Sequence, residues 1–150
     1  MERILDWVSA CPRWSVESGG IVLEQGQSGG RLLVLLSGEV EVLRDDVRVA
    51  RTAEPGAVFG EMSVLLGSPC TATVRALSTA SFAVVEPADS FLRATPEASL
   101  HVARLLARRL DALNRYLIDV KAQYEGHDHL SMVDDVLDTL MHRQPRKLAH

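Results

Sequence analysis

The stretch Pro55-Gly-Ala-Val-Phe-Gly-Glu-Met-Ser-Val-Leu-Leu-Gly-Ser-Pro-Cys-Thr-Ala-Thr-Val-Arg-Ala76 decides how the chain is read. A strand ends at Phe59, and Gly60 lets the backbone turn where a side chain would obstruct it. Glu61 to Leu66 then has room for one helical turn, whose leading N–H groups and partial positive charge suit an anion. Glu61, at the start of that turn, is placed to accept hydrogen bonds from sugar hydroxyls. Gly67-Ser68-Pro69 stops the turn, and Cys70-Thr71 opens the next strand facing the same space.

Working outward, short runs rich in Val, Leu and Ile alternate with turn clusters at the spacing of an all-β barrel or sandwich. Strands are expected over Ile21 to Glu24, Arg31 to Ser37 and Glu39 to Arg44, with Gly26-Gln27-Ser28-Gly29-Gly30 as a loop and Gly38 as a break. The last of these alternates charged and apolar residues, as a half-buried strand does. Asp45-Asp46 signals a tight turn, and Val47 to Thr52 returns with Val47 and Val49 on one face. The stretch from Ala57 to Pro69 is irregular, and two more strands follow, Thr71 to Ala76 and Ser81 to Glu86. The fold class is mainly β with flanking helices, a double-stranded β-helix or jelly roll, followed by a long C-terminal helix.

From Pro87 the periodicity becomes helical. Thr95 is an N-cap and Pro96 a first helical residue, where a missing N–H costs nothing. The helix is expected to run to about Glu125, with Gly126 beyond its end. Along it, Ala103, Leu106, Leu110, Leu113, Leu117, Val120 and Tyr124 are spaced alternately by three and four. That seam fits a second copy of the helix, and the chain is expected to be a homodimer through it. The other reading is a core-facing helix with a wide stripe that includes Leu105, Tyr116 and Ile118. A terminal helix begins near Ser131, with Met132, Val133, Val136, Leu137, Leu140 and Met141 on one face, and a polar tail closes the sequence. Two regions result, residues 1–125 with the β-roll and long helix, and residues 126–150 with a linker, terminal helix and tail.

The Phe59-Gly60-Glu61 run, followed by Leu65-Leu66, Gly67, Pro69 and Ala72-Thr73-Val74, resembles the phosphate-binding cassette of the cyclic-nucleotide-binding domain family, which includes the catabolite activator protein group and the regulatory domains of cyclic-nucleotide-dependent kinases. The resemblance covers about Ile21 to Tyr124. It implies backbone contacts to a cyclic phosphate from Gly60, Glu61, Met62 and Ser63 and from the Thr71 region, a bond from Glu61 to the ribose 2′-hydroxyl, and Phe59 at the cassette's edge. It implies cyclic AMP or cyclic GMP as ligand, a long helix closing over the base with Asn114 as the best candidate to read it, and a regulatory role rather than an enzymatic one.

The family expects an arginine between Pro69 and Thr71, and here that residue is Cys70. A neutral thiol supplies neither the charge nor the bidentate fork of a guanidinium. Arg75 is no substitute, because along a strand it lies on the face opposite Cys70, Ala72 and Val74. Three readings of Cys70 are open: a small buried residue in a domain with weakened or lost binding, a different ligand in the same cavity, or a reactive thiol or haem ligand. The last lacks a neighbouring His or a cation to lower the thiol pKa.

The 150 residues hold 16 Lys plus Arg against 20 Asp plus Glu, a net charge of −4, with pI near 5.7 and mean hydropathy +0.06. All of the deficit falls in residues 1–95. A phosphate-gripping domain usually carries a basic surplus, and the 24 residues after Gly126 are too few for a helix-turn-helix, so no direct nucleic-acid binding is expected. Two cysteines, Cys11 and Cys70, are too few for a disulfide scaffold and fit a reducing, cytoplasmic setting. Neither a signal peptide nor a membrane span is expected. His127-Asp-His129 with His142 matches no closed metal site, and no catalytic constellation is present. The functional reading is a stand-alone regulatory sensor domain whose ligand binding is weakened or altered at Cys70. The alternative is a ligand-free dimerisation module that docks an unidentified protein.

Overall fold

The computed structural model describes residues 2–123 and 130–142. The order of elements is α1 (Glu2–Trp7), β1 (Arg13–Val16), β2 (Ile21–Leu23), β3 (Leu32–Ser37), β4 (Val40–Arg44), β5 (Val47–Thr52), β6 (Val58–Phe59), α2 (Glu61–Leu66), β7 (Thr73–Ala76), β8 (Ala80–Val85), α3 (Ala88–Ala94), α4 (Pro96–Gln123) and α5 (Leu130–His142). The eight strands form two antiparallel four-stranded sheets, ordered β1-β8-β3-β6 and β2-β7-β4-β5. The expected jelly-roll architecture with a long following helix is therefore present. The chain divides into two compact units after Val102, within α4.

In the first unit the two sheets face each other over a core of Val16, Val22, Leu33, Leu35, Val40, Phe59, Val74, Ala76, Ala80 and Phe82. Phe82 is fully buried and meets Phe59 edge-on at 6.4 Å between centroids. Strand β3 buries four consecutive residues, Leu32 to Leu35. Because side chains alternate along a strand, Leu32 and Val34 point away from Leu33 and Leu35 and need cover on the other face. Ile4 and Val8 near the N-terminus, Ala88 and Leu92 of α3, and Ala98 and Val102 of α4 are also buried. Trp7 meets His101 edge-on at 6.0 Å, and Arg3 pairs with Glu97 at 3.7 Å, fixing α1 against the first turns of α4.

The β4–β5 hairpin turns at Asp45 and Asp46, whose φ values of 52° and 63° are those of a two-residue primed turn that matches strand twist. Strand β5 is the sheet edge, and both Val47 and Val49 are exposed. Two features lie beyond the sequence-based expectation, α1 and β1, while α4 starts at Pro96 as expected. Strand β7 begins at Thr73 rather than Thr71, so Cys70 precedes it in an irregular segment. Tyr124, Gly126, His127, His129 and the polar tail lie outside the described residues.

On the outer face of the second sheet, Glu41 departs from the solvent-facing place its alternation suggested. Its side chain is buried, accepting hydrogen bonds from Arg48 Nη2 at 2.7 Å and Arg75 Nη2 at 2.5 Å. The hydrogen bond from Arg48, joined by that from Arg75, holds the Glu41 carboxyl below its ordinary value of 4.5. A carboxylate depressed in the folded state stabilises the fold fully above its unfolded pKa, and that contribution is lost as pH falls through the lower folded value. Glu41→Gln therefore melts lower than the natural chain at neutral pH, and the gap between their melting temperatures narrows as pH falls below about 4.5. Melting curves across an acid pH series check this; a gap that stays constant with pH contradicts it.

Candidate ligand-binding site

Gly60 and Gly67 bound the helical turn α2, both with left-handed backbones at φ 86° and 65°. At Gly60 the conformation is accompanied by a close approach, since a Cβ there would lie 2.4 Å from the Arg31 carbonyl oxygen at the entrance to β3. No side chain fits that space. The turn therefore leaves β6 at Phe59, buried in the core, and immediately presents Glu61 inward.

Glu61 and Ser63 are buried, at 5% and 4% exposure, while Met62, Leu65 and Leu66 are exposed. Ser63 Oγ donates to the Ser68 carbonyl at 2.6 Å, closing the far end of the turn on itself. Gly29 of the β2–β3 loop packs against that hydroxyl so closely that a Cβ would sit 1.5 Å from it. The loop and the turn are thus held together through one serine.

Cys70 is buried, at 7% exposure, and its backbone is tied to the same loop. Its N–H donates to the Gln27 carbonyl at 2.8 Å, and its carbonyl accepts from the Gly26 N–H at 2.9 Å. Three residues on, Thr73 Oγ1 accepts from the Gln25 N–H at 3.0 Å. Gly60, Ser63 and Cys70 therefore all lie against the β2–β3 connection. Arg75 lies on the opposite face of β7 from the buried Val74 and is engaged by Glu41. The guanidinium of Arg31 stands over the Trp14 ring at 5.8 Å.

Beside the turn a cavity of about 460 Å³ opens between Ser28, Gly29 and Gly30, Ser63 and Val64, Gly67 to Pro69, and Asp89 of α3. It shares Ser63 with the predicted site but is not lined by Glu61, Cys70 or Thr71. The β2–β3 loop and Asp89 are the features that sequence reading missed. The glycine pair Gly29-Gly30 was visible as a flexible loop, but its contact with Ser63 was not. Asn114 lies in the second unit, half-buried in α4. Among the described residues no cluster of His, Cys, Asp and Glu could hold a metal ion, and no helix is long and apolar enough to cross a membrane.

Comparison with known proteins agrees with this geometry. The chain is 27% identical over 138 residues to the cGMP-dependent protein kinase egl-4 of Caenorhabditis elegans, covering 91% of this chain and 16% of the kinase. It is 39% identical over 70 residues to an uncharacterized ABC transporter ATP-binding protein of Mycobacterium bovis, covering 44% of this chain and 21% of that protein. It thus spans about a fifth or less of these curated relatives. Among solved structures, the catabolite activator protein of Thermus thermophilus superposes with a TM-score of 0.69 at 26% identity, over 81% of this chain and 60% of that one. A cyclic nucleotide-binding domain from Methylobacillus flagellatus superposes at 0.61 and 24% identity over 85% of each chain, which shows the shared fold. The family model for the cyclic nucleotide-binding domain, a regulatory rather than a catalytic module, matches residues 13–95, more than half of the sequence, and the chain belongs to that family.

Proposed function

We propose that this chain is a homodimeric regulatory sensor domain that binds a cyclic nucleotide, cyclic AMP or cyclic GMP, with an affinity weakened by Cys70. The observation that supports this reading is the glycine-started turn with Glu61 and Ser63 buried, near a buried, neutral Cys70 where the family resemblance expects an arginine. Gly60, Glu61 and Ser63 have the backbone turn and inward carboxylate that the ligand requires, and Cys70 is buried beside the same loop. Arg75 and Arg31 are engaged elsewhere, which supports a site without a compensating guanidinium. Occupancy would alter how α4 packs, and that change in packing is the output. Calorimetric titration with cyclic AMP, cyclic GMP and cyclic di-GMP tests the reading. Binding in the high-micromolar to millimolar range is expected, and no heat from any of the three at millimolar ligand refutes it.

The dimer is proposed through the α4 seam. Leu110 and Leu113 are 40% and 44% exposed in the isolated chain, an unfavourable state for two leucines at core-type heptad positions. Leu110→Glu or Leu113→Glu is expected to give monomers with the β-roll intact, read by sedimentation velocity together with circular dichroism. A natural chain that is monomeric at micromolar concentration contradicts the seam. The alternative, a ligand-free module that dimerises and docks another protein, is favoured by the same neutral Cys70 and predicts a dimer with a silent titration. A cytoplasmic setting is part of the proposal, and the two free cysteines support it.

A further inference from the structure

The second unit contains more apolar surface than a two-helix seam uses. Helix α5 places Val133, Val136, Leu137 and Leu140 at i, i+3, i+4 and i+7, one stripe of a helix that packs on neighbours. Val136 is 40% exposed, while Val133, Leu137 and Leu140 are half-buried. Lys121 of α4 forms an ion pair with Asp134 of α5. If the chain ran straight on as helix, thirteen residues would separate the two Cα atoms by about 20 Å, beyond the reach of their side chains. The start of α5 therefore lies beside the end of α4.

Resting on the dimer reading above, we propose that α5 is part of the interface, so that two α4–α5 pairs close into a four-helix bundle around the two-fold axis. The occupant of the exposed face is a second copy of this chain. Three observations support that choice. The apolar spacing of α4 from Ala103 to Val120 is self-matching, and Leu110, Leu113 and Tyr116 are all exposed along it. In a parallel pairing, g positions meet e positions five residues on in the partner. Arg109 then faces Asn114 of the partner subunit, and Tyr116 faces Lys121 of the partner subunit, so no like charges meet. Finally, the α4 seam is about 27 Å long and one helix wide, a narrow strip for a specific dimer, and α5 adds about 20 Å of helix to it.

The test measures the dimer dissociation constant of the full chain and its variants by sedimentation equilibrium. Val136→Glu is expected to weaken the dimer at least about tenfold, with the helical signal and melting of the monomer retained. Val136→Ala, which raises helix propensity while removing two methyl groups from each copy, is expected to weaken it at least about fivefold. Val136→Ala leaves no route through an unfolded α5. If both variants dimerise as the natural chain does while Leu110→Glu is monomeric, α5 lies outside the interface and the inference is overturned, with the α4 seam left standing. If the natural chain is itself monomeric at about 100 µM, both readings fall together.

Discussion

Cys70→Arg is expected to bind cyclic AMP or cyclic GMP at least about tenfold more tightly than the natural chain. The position is buried and its backbone is fastened through Gly26 and Gln27, so the substituted side chain starts from a fixed point beside the turn of α2. A guanidinium offers a cyclic phosphate two parallel charge-assisted hydrogen bonds where the thiol offers none. Loss of one partner of a desolvated charge pair costs about 2–5 kcal/mol. At about 1.4 kcal/mol per decade, full restoration is worth some 30-fold to several-thousand-fold. Ordering a long side chain costs up to about 2 kcal/mol, which, taken from the middle of that range at about 3.5 kcal/mol, leaves about tenfold. Matched calorimetric titrations of the two chains give the answer, and equal affinities would show that the cassette does not hold the phosphate beside residue 70. The gain should also shrink with added salt less than a surface pair would, because the site is shielded.

The second large effect is expected at Gly60→Val. A β-branched residue at φ 86° is strained on its own account, at about 1–3 kcal/mol. Its Cβ would also lie 2.4 Å from the Arg31 carbonyl oxygen, a backbone atom that cannot rotate away. Relief requires the entrance of β3 or the start of α2 to move. For a chain of this size the combined cost lowers the melting temperature by about 10 °C or more. Binding should suffer beyond the stability loss, because Glu61 follows Gly60 directly and its inward direction depends on that turn. Introduced together with Cys70→Arg, Gly60→Val is expected to abolish the restored affinity at temperatures where the protein remains folded. Melting curves establish that temperature range, and titration within it gives the result. Retained tight binding in the double variant would show that the turn is not part of the site.

Much of the architecture was legible because it is written in local patterns. Alternation over residues 39–44, the turn pair Asp45-Asp46 and the three-four spacing along α4 each depend on neighbours within a few residues. The cassette was legible for the same reason, as Gly60, Glu61, Gly67 and Pro69 are the turn, carboxylate and stops of one short segment. Strand β1 was not legible, since Arg13-Trp-Ser-Val16 has too few residues to show a period, and it becomes a strand by pairing with β8. The start of α4 was legible, because Thr95-Pro96 marks it locally and the helix begins at Pro96.

The sequence by itself determined the class of fold, the turn that presents Glu61 and the absence of an arginine at residue 70. Only the tertiary structure decided that Glu41 is buried between Arg48 and Arg75, that Cys70 is fastened to Gly26 and Gln27, and that Gly29 is packed against Ser63. Each of these joins residues 7 to 44 positions apart. Such pairings follow from sheet register and from the closure of the β2–β3 loop over α2, which are chosen by the packing of the whole core and leave no periodic mark on the chain.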